Sequence, residues 1–165
     1  MGDRGCQTQA ARTPATGDLL SAMKFADFHA GQRITAGPYL LSEEEILTFA
    51  RQYDPQWFHT DVTRASSGPF NGLIASGWQT CAIAMRLVAD AALHDSESFA
   101  SPGIDHVKWP APVRPGDALS LTATVLETRI TRKGLGVLRW RWELHNQANE
   151  QVLELEATSL FRLTA

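Results

Sequence analysis

Gly77-Trp78-Gln79-Thr80-Cys81-Ala82-Ile83-Ala84-Met85-Arg86-Leu87-Val88-Ala89-Asp90-Ala91-Ala92-Leu93 is the stretch that decides the fold. Trp78, Cys81, Met85, Val88 and Ala92 recur at helical spacing along one side, and Ile83, Leu87 and Ala91 fill much of the opposite side. Only Gln79, Arg86 and Asp90 form a polar strip. A helix that is apolar nearly all round must be covered by more than one surface. At 1.5 Å per residue it runs for about 25 Å, so a long element or several elements must wrap it.

The C-terminal third has the right pattern to do so. Gly103 to Trp109 reads as a strand ending at Pro110, and Pro115-Gly116-Asp117 reads as a turn. Leu119, Leu121, Ala123 and Val125 then alternate with Ser120, Thr122 and Thr124. Arg132-Lys133-Gly134 turns the chain into Leu138, Trp140, Trp142 and Leu144, which alternate with Arg139, Arg141 and Glu143. After a turn over Asn146 to Glu150 come Leu153, Leu155, Ala157, Ser159, Phe161 and Leu163. Period-two alternation between short turns means an antiparallel meander with one buried face. A long buried helix followed by such strands predicts one α+β domain, an antiparallel sheet curled around a central helix.

Upstream, Arg33 to Leu41 reads as a short extended element containing Gly37-Pro38. Ser42-Glu43-Glu44-Glu45 is a capping box, and Ile46, Phe49 and Ala50 carry a helix to about Gln52. Pro55 pushes Asp54 out of the helical region, so Asp54 is expected just past a helix end. The Ser66-Ser67-Gly68-Pro69 loop leads on to the central helix.

The 165 residues suit one domain, and 44% apolar against 20% charged residues argues for a globular chain. Residues 23–165 are expected to form that domain. Residues 1–22 read as a disordered N-terminal extension without a secretory signal's apolar core, and Met23 reads as an alternative start. A formal net charge of -3 gives no general attraction to nucleic acid or an anionic membrane, and no apolar run reaches spanning length. With Cys6 in the extension and Cys81 in the helix, no structural disulfide is expected; a reducing, cytoplasmic setting fits. The alternating Trp140 and Trp142 read as core or dimer packing, and Arg129, Arg132 and Lys133 as a solvated hairpin tip.

Chemistry concentrates in Tyr53-Asp54-Pro55-Gln56-Trp57-Phe58-His59-Thr60-Asp61, where a carboxylate and an imidazole stand five positions apart. A neutral His and an ionised Asp near one water can divide proton transfers at neutral pH. Gly77 opens the buried helix, whose N-terminal N–H groups are unpaired and carry partial positive charge. Without a Cβ it would let an oxyanion approach closely, or permit tight packing of the helix on the sheet. Asp54, His59 and Gly77 are therefore the catalytic candidates. Trp57, Phe58, Ser76 and Trp78, which flank them, are candidates for substrate contact. The five histidines show no metal-ligand spacing, and neither a dinucleotide fingerprint nor a phosphate-binding loop is present, so no metal or cofactor is expected.

From Met23 to Ala165 the chain resembles the MaoC-like dehydratases and (R)-specific enoyl-CoA hydratases of the hot-dog superfamily. The resemblance rests on Phe28-His29-Ala30-Gly31-Gln32, the Asp54-to-His59 word, Ser76-Gly77, and Pro112-Val113-Arg114-Pro115-Gly116-Asp117. Gln56 and Trp57 stand where the family carries Asn and Pro, and Ser76 where it often carries His. The resemblance implies a hot-dog fold, a homodimer or higher homo-oligomer, and Asp54, His59 and the Gly77 N–H as catalytic acid–base pair and oxyanion donor. It implies hydration or dehydration of an acyl thioester of CoA or acyl carrier protein. For that chemistry Asp54 is assigned to orient and deprotonate the water, and His59 to share that water and handle the α-proton, although the sequence does not read out which group carries which proton. Two other functions compete. One is thioester hydrolysis, disfavoured because Gly77 to Ala89 contains no carboxylate. The other is a non-catalytic acyl-thioester-binding or scaffold subunit, to which the altered Gln56-Trp57 context lends weight.

Overall fold

The computed structural model describes residues 23–163; the expected extension over 1–22, with Cys6, lies outside them. Strand β1 (Arg33–Leu40) leads into helix α1 (Glu43–Tyr53) and two single-turn helices, α2 (Trp57–Thr60) and α3 (Val62–Ser66). Helix α4 (Gly77–Val88) continues into a π-helical turn over Ala89–Leu93. Strands β2 (Ser98–Lys108), β3 (Ala118–Ile130), β4 (Leu135–His145) and β5 (Gln151–Arg162) complete the chain. All pair antiparallel in one sheet, in the order β1-β3-β4-β5-β2. This is the hot-dog arrangement that the helix and the meander predict.

The alternation read from sequence sets the inner face. Leu119, Leu121, Ala123 and Val125 of β3, Leu138, Trp140 and Leu144 of β4, and Leu153, Leu155 and Phe161 of β5 are all buried. Trp140 and Trp142 meet edge to face, with ring centroids 5.4 Å apart. On the outer face Arg141 pairs with Glu156 at 2.7 Å, and Arg139 reaches Glu127 and Glu156.

The central helix corrects the expected stripe. Its covered face is Ile83, Ala84, Leu87 and Val88 together with Gln79 and Thr80, whereas Trp78 is 62% and Met85 41% exposed and Cys81 is half-buried. One sheet can curl over only one side of the rod. Gln79, expected on the polar strip, is buried because its Nε2 donates to the Glu45 carbonyl oxygen of α1. Strand β2 also begins earlier than expected, at Ser98. Its first half lacks alternation and contains Pro102, which an edge strand tolerates through register shifts.

The capping box forms as read, and gains a partner. Ser42 Oγ accepts from Glu45 N at 3.2 Å, Ser42 N and Oγ donate to Glu45 Oε2, and the Tyr39 hydroxyl of β1 donates to Glu45 Oε1 at 2.5 Å. The Tyr39 bond above all, then the Ser42 bonds, hold the Glu45 carboxyl below the usual carboxylate range. A carboxyl with a folded pKa below its unfolded value stabilises the fold above the unfolded pKa, and loses that contribution as pH falls through the lowered value. Glu45→Gln is therefore expected to cost about 1–2 kcal/mol at neutral pH. In urea melts, its deficit against wild type should shrink as pH drops through and below the carboxylate range. A deficit independent of pH would contradict this.

Candidate active site

Asp54 is placed by the end of α1. Its N–H caps the helix on the Ala50 carbonyl at 2.9 Å, and the following proline keeps it out of the helical region, at φ -148° and ψ 69°. His59 comes one short turn later on α2, with its N–H on the Gln56 carbonyl at 2.9 Å. Neither single-turn helix was read from sequence, because runs of four and five residues carry no periodicity. The available signal was Asp61, whose carboxylate accepts from Arg64 N at the start of α3.

The fold brings these two side chains together. His59 Nε2 lies 3.4 Å from Asp54 Oδ2, with His59 buried and the Asp54 side chain 17% exposed. His59 Nδ1 is 2.8 Å from the Ile74 carbonyl oxygen. A carbonyl can only accept, so Nδ1 carries a hydrogen, and in the neutral imidazole Nε2 presents its lone pair toward Asp54. Two acceptors face each other across 3.4 Å, a geometry that one water can satisfy by donating one hydrogen to each.

Asp54 is held from both sides. Ser76 Oγ donates to Oδ2 at 2.6 Å and Gln56 Nε2 donates to Oδ1 at 2.8 Å. The Ser76 bond is the main cause of a carboxyl lying below its ordinary range; burial opposes it, and Gln56 and His59 assist. Ser76 is fully buried and caps α4 by accepting from Trp78 N at 3.2 Å. It was read as a substrate contact, and its bonds here run to Asp54 and the helix. The orienting roles of Ser76 and Gln56 were missed, since neither residue is recognisable until its partner's position is known. Ser76→Ala is expected to raise the Asp54 pKa toward the ordinary carboxylate range, because it removes the largest lowering influence and leaves burial unopposed by it. A carbon-13 titration of the Asp54 carboxyl would check this, and an unmoved midpoint would refute it.

Gly77 begins α4 beside this pair, and among the described residues its N–H has no hydrogen-bond partner. His59, Gly77, Thr80, Phe70, Trp109 and Val113 border a cavity of about 270 Å³. The other candidates are placed differently. Phe58 backs the imidazole, with ring centroids 4.4 Å apart. Trp57 packs over Gly68, whose added Cβ would meet its ring at 2.7 Å, and lies under the Arg64 guanidinium. Trp78 borders a separate apolar cavity and meets Trp109 edge to face at 5.8 Å. Among the described residues, no group of three or more His, Cys, Asp or Glu side chains could hold a metal ion.

Residues 24–139, more than half the chain, match the MaoC like domain. The protein belongs to the MaoC-like domain family. Uncharacterized protein YdeM of Bacillus subtilis is 34% identical over 140 residues, covering 85% of this chain and 99% of that one. The 3-hydroxyacyl-thioester dehydratase Z of Mycobacterium tuberculosis is 32% identical over 100 residues, 59% of this chain and 66% of that one. The crystal structure of the MaoC-like dehydratase from Rhodospirillum rubrum superposes with a TM-score of 0.78 at 32% identity, covering 85% of this chain and 97% of that one. No helix among the described residues of this MaoC-like chain is long and apolar enough to cross a membrane.

Proposed function

We propose that this MaoC-like protein adds water to the double bond of a 2-enoyl thioester, or removes it from the 3-hydroxyacyl thioester, using Asp54, His59 and the Gly77 N–H. The observation that carries this reading is the facing pair of acceptors, His59 Nε2 and Asp54 Oδ2, beside the open end of α4. A water donating to both has its oxygen directed away from them, toward a substrate's β-carbon in the cavity. As the C–O bond forms, the double-bond electrons move to the α-carbon and onto the thioester oxygen. There the Gly77 N–H and the helix end stabilise the negative charge, a kind of contribution worth about 10²–10³ in rate.

The Ser76 bond weakens Asp54 as a base, which favours a division of labour different from the one expected from sequence. Asp54 orients the water and balances an imidazolium, while His59 Nε2 takes the water's proton and returns it to the α-carbon. One group handling both transfers adds oxygen and hydrogen to the same face of the double bond.

The exposed Trp78 and Met85, with Phe99 and Ile104 on the open β2 edge, form an apolar margin. An unpaired strand edge flanked by such residues suits antiparallel pairing with a second copy, giving a homodimer. The proposed substrates are acyl thioesters of CoA or acyl carrier protein. Thioester hydrolysis is less well supported: Asp90, the first carboxylate along the central helix, is exposed and paired with Arg86 at 2.6 Å. Purified protein incubated with a short trans-2-enoyl-CoA should bleach the conjugated enoyl absorbance without releasing free thiol. Thiol release in step with that loss would reverse the assignment, and tight binding without either signal would mark a non-catalytic acyl-binding subunit.

A further inference from the structure

Trp109 is absorbed by none of these roles, yet it lines the His59 cavity and meets Trp78, which lines another cavity along the central helix. Its indole rests on Gly77: a Cβ there would come within 2.6 Å of Cε2 and 2.9 Å of Nε1. The Nε1–H donates to the Gly77 carbonyl oxygen at 3.0 Å. Its edge meets Trp78 at 5.8 Å, with the ring planes 74° apart. The cavity of about 270 Å³ contains His59 and Gly77. A larger one of about 470 Å³ is walled by apolar groups including Cys81, Met85, Trp142 and Leu155. Trp109 borders the first and Trp78 the second.

Trp109 follows the last residue of β2 and precedes Pro110, which restrains its main chain to extended conformations. What stands between the His59 cavity and Trp78 is therefore a side chain: one indole, 44% exposed, hydrogen-bonded at Gly77 and in edge contact with Trp78. Resting on the hydratase reading above, we infer that Trp109 is the specificity-determining wall of the acyl site, confining substrates to short acyl groups by closing the His59 cavity off from the apolar cavity beyond. Removing the indole joins the two spaces and opens a path for a longer chain. Each additional buried CH₂ can then add about fourfold in affinity.

The test compares wild type, Trp109→Ala and Trp109→Phe, each in its solution assembly. Two readouts are used: kcat/KM for hydration of C4 and C8 trans-2-enoyl-CoAs, and calorimetric Kd for butyryl- and octanoyl-CoA. Trp109→Ala is expected to raise the C8-to-C4 ratio at least tenfold in both, while Trp109→Phe, which keeps a ring against Gly77, stays near wild type. Misfolding cannot produce a gain for the longer chain. Hydration by wild type with an unchanged ratio in Trp109→Ala overturns the role of Trp109 and leaves the hydratase reading intact. A shifted binding ratio without hydration by any variant supports the wall and removes the hydratase reading. No acyl-CoA binding by wild type overturns both.

Discussion

Asp54→Asn is expected to lower hydration of a short trans-2-enoyl-CoA by about 10²–10⁴-fold, the range for loss of one member of a positioned acid–base pair. Asn can still accept from Ser76, so the geometry that carries Oδ2 to within 3.4 Å of His59 survives while its charge does not. The companion variant needs more care than the sequence suggests. His59 looks replaceable by Ala, but its Nδ1–H satisfies the Ile74 carbonyl in a buried setting. Deleting it leaves that oxygen unpaired at a cost of about 1–3 kcal/mol, mixing a stability loss into the kinetics. His59→Asn keeps a donor near the Nδ1 position and deletes Nε2, so it should lose a similar factor in rate while melting close to wild type. Progress curves on both variants, read beside their thermal melts, provide the check. Near-wild-type hydration in Asp54→Asn and in His59→Asn would remove the proposed site.

The largest effect on stability is expected at Trp140. It is fully buried on β4, packed edge to face on Trp142 and against Phe28 at 5.9 Å. Trp140→Ala should cost about 3–5 kcal/mol through lost burial and the cavity it leaves. Its Nε1–H finds no partner among the described residues. Trp140→Phe therefore removes an unsatisfied donor along with some packing, and its cost should be less than half that of the alanine variant. Urea denaturation of the two proteins would decide. Equal losses would mean that the indole N–H is satisfied in solution and that the ring's size is not what matters.

What could be read from the sequence follows rules that act over a few residues. Ser42 and Glu45 are three apart, and their reciprocal cap forms as read. The alternation from Leu119 to Phe161 assigns each residue to a sheet face because successive side chains point to opposite faces. Asp54 and His59 are close in the chain, so their meeting across α1, Pro55 and α2 was foreseeable from spacing and the family resemblance.

Tertiary structure decided the rest, because those contacts join residues that no periodicity relates. Ser76 reaches Asp54 across 22 positions, the Ile74 carbonyl fixes the His59 tautomer across 15, and Trp109 covers Gly77 across 32. The face that α4 buries was likewise set by packing: its apolar residues allow several orientations, and packing against the sheet and α1 selected the one that hides Gln79 and exposes Trp78. By itself, then, the sequence determined the longer elements, the sheet faces and the neighbouring carboxylate and imidazole of Asp54 and His59. Only the packed chain decided which donors hold that pair and which indole rests on Gly77, since hydrogen bonds and van der Waals contacts depend on distance in space and not on separation along the backbone.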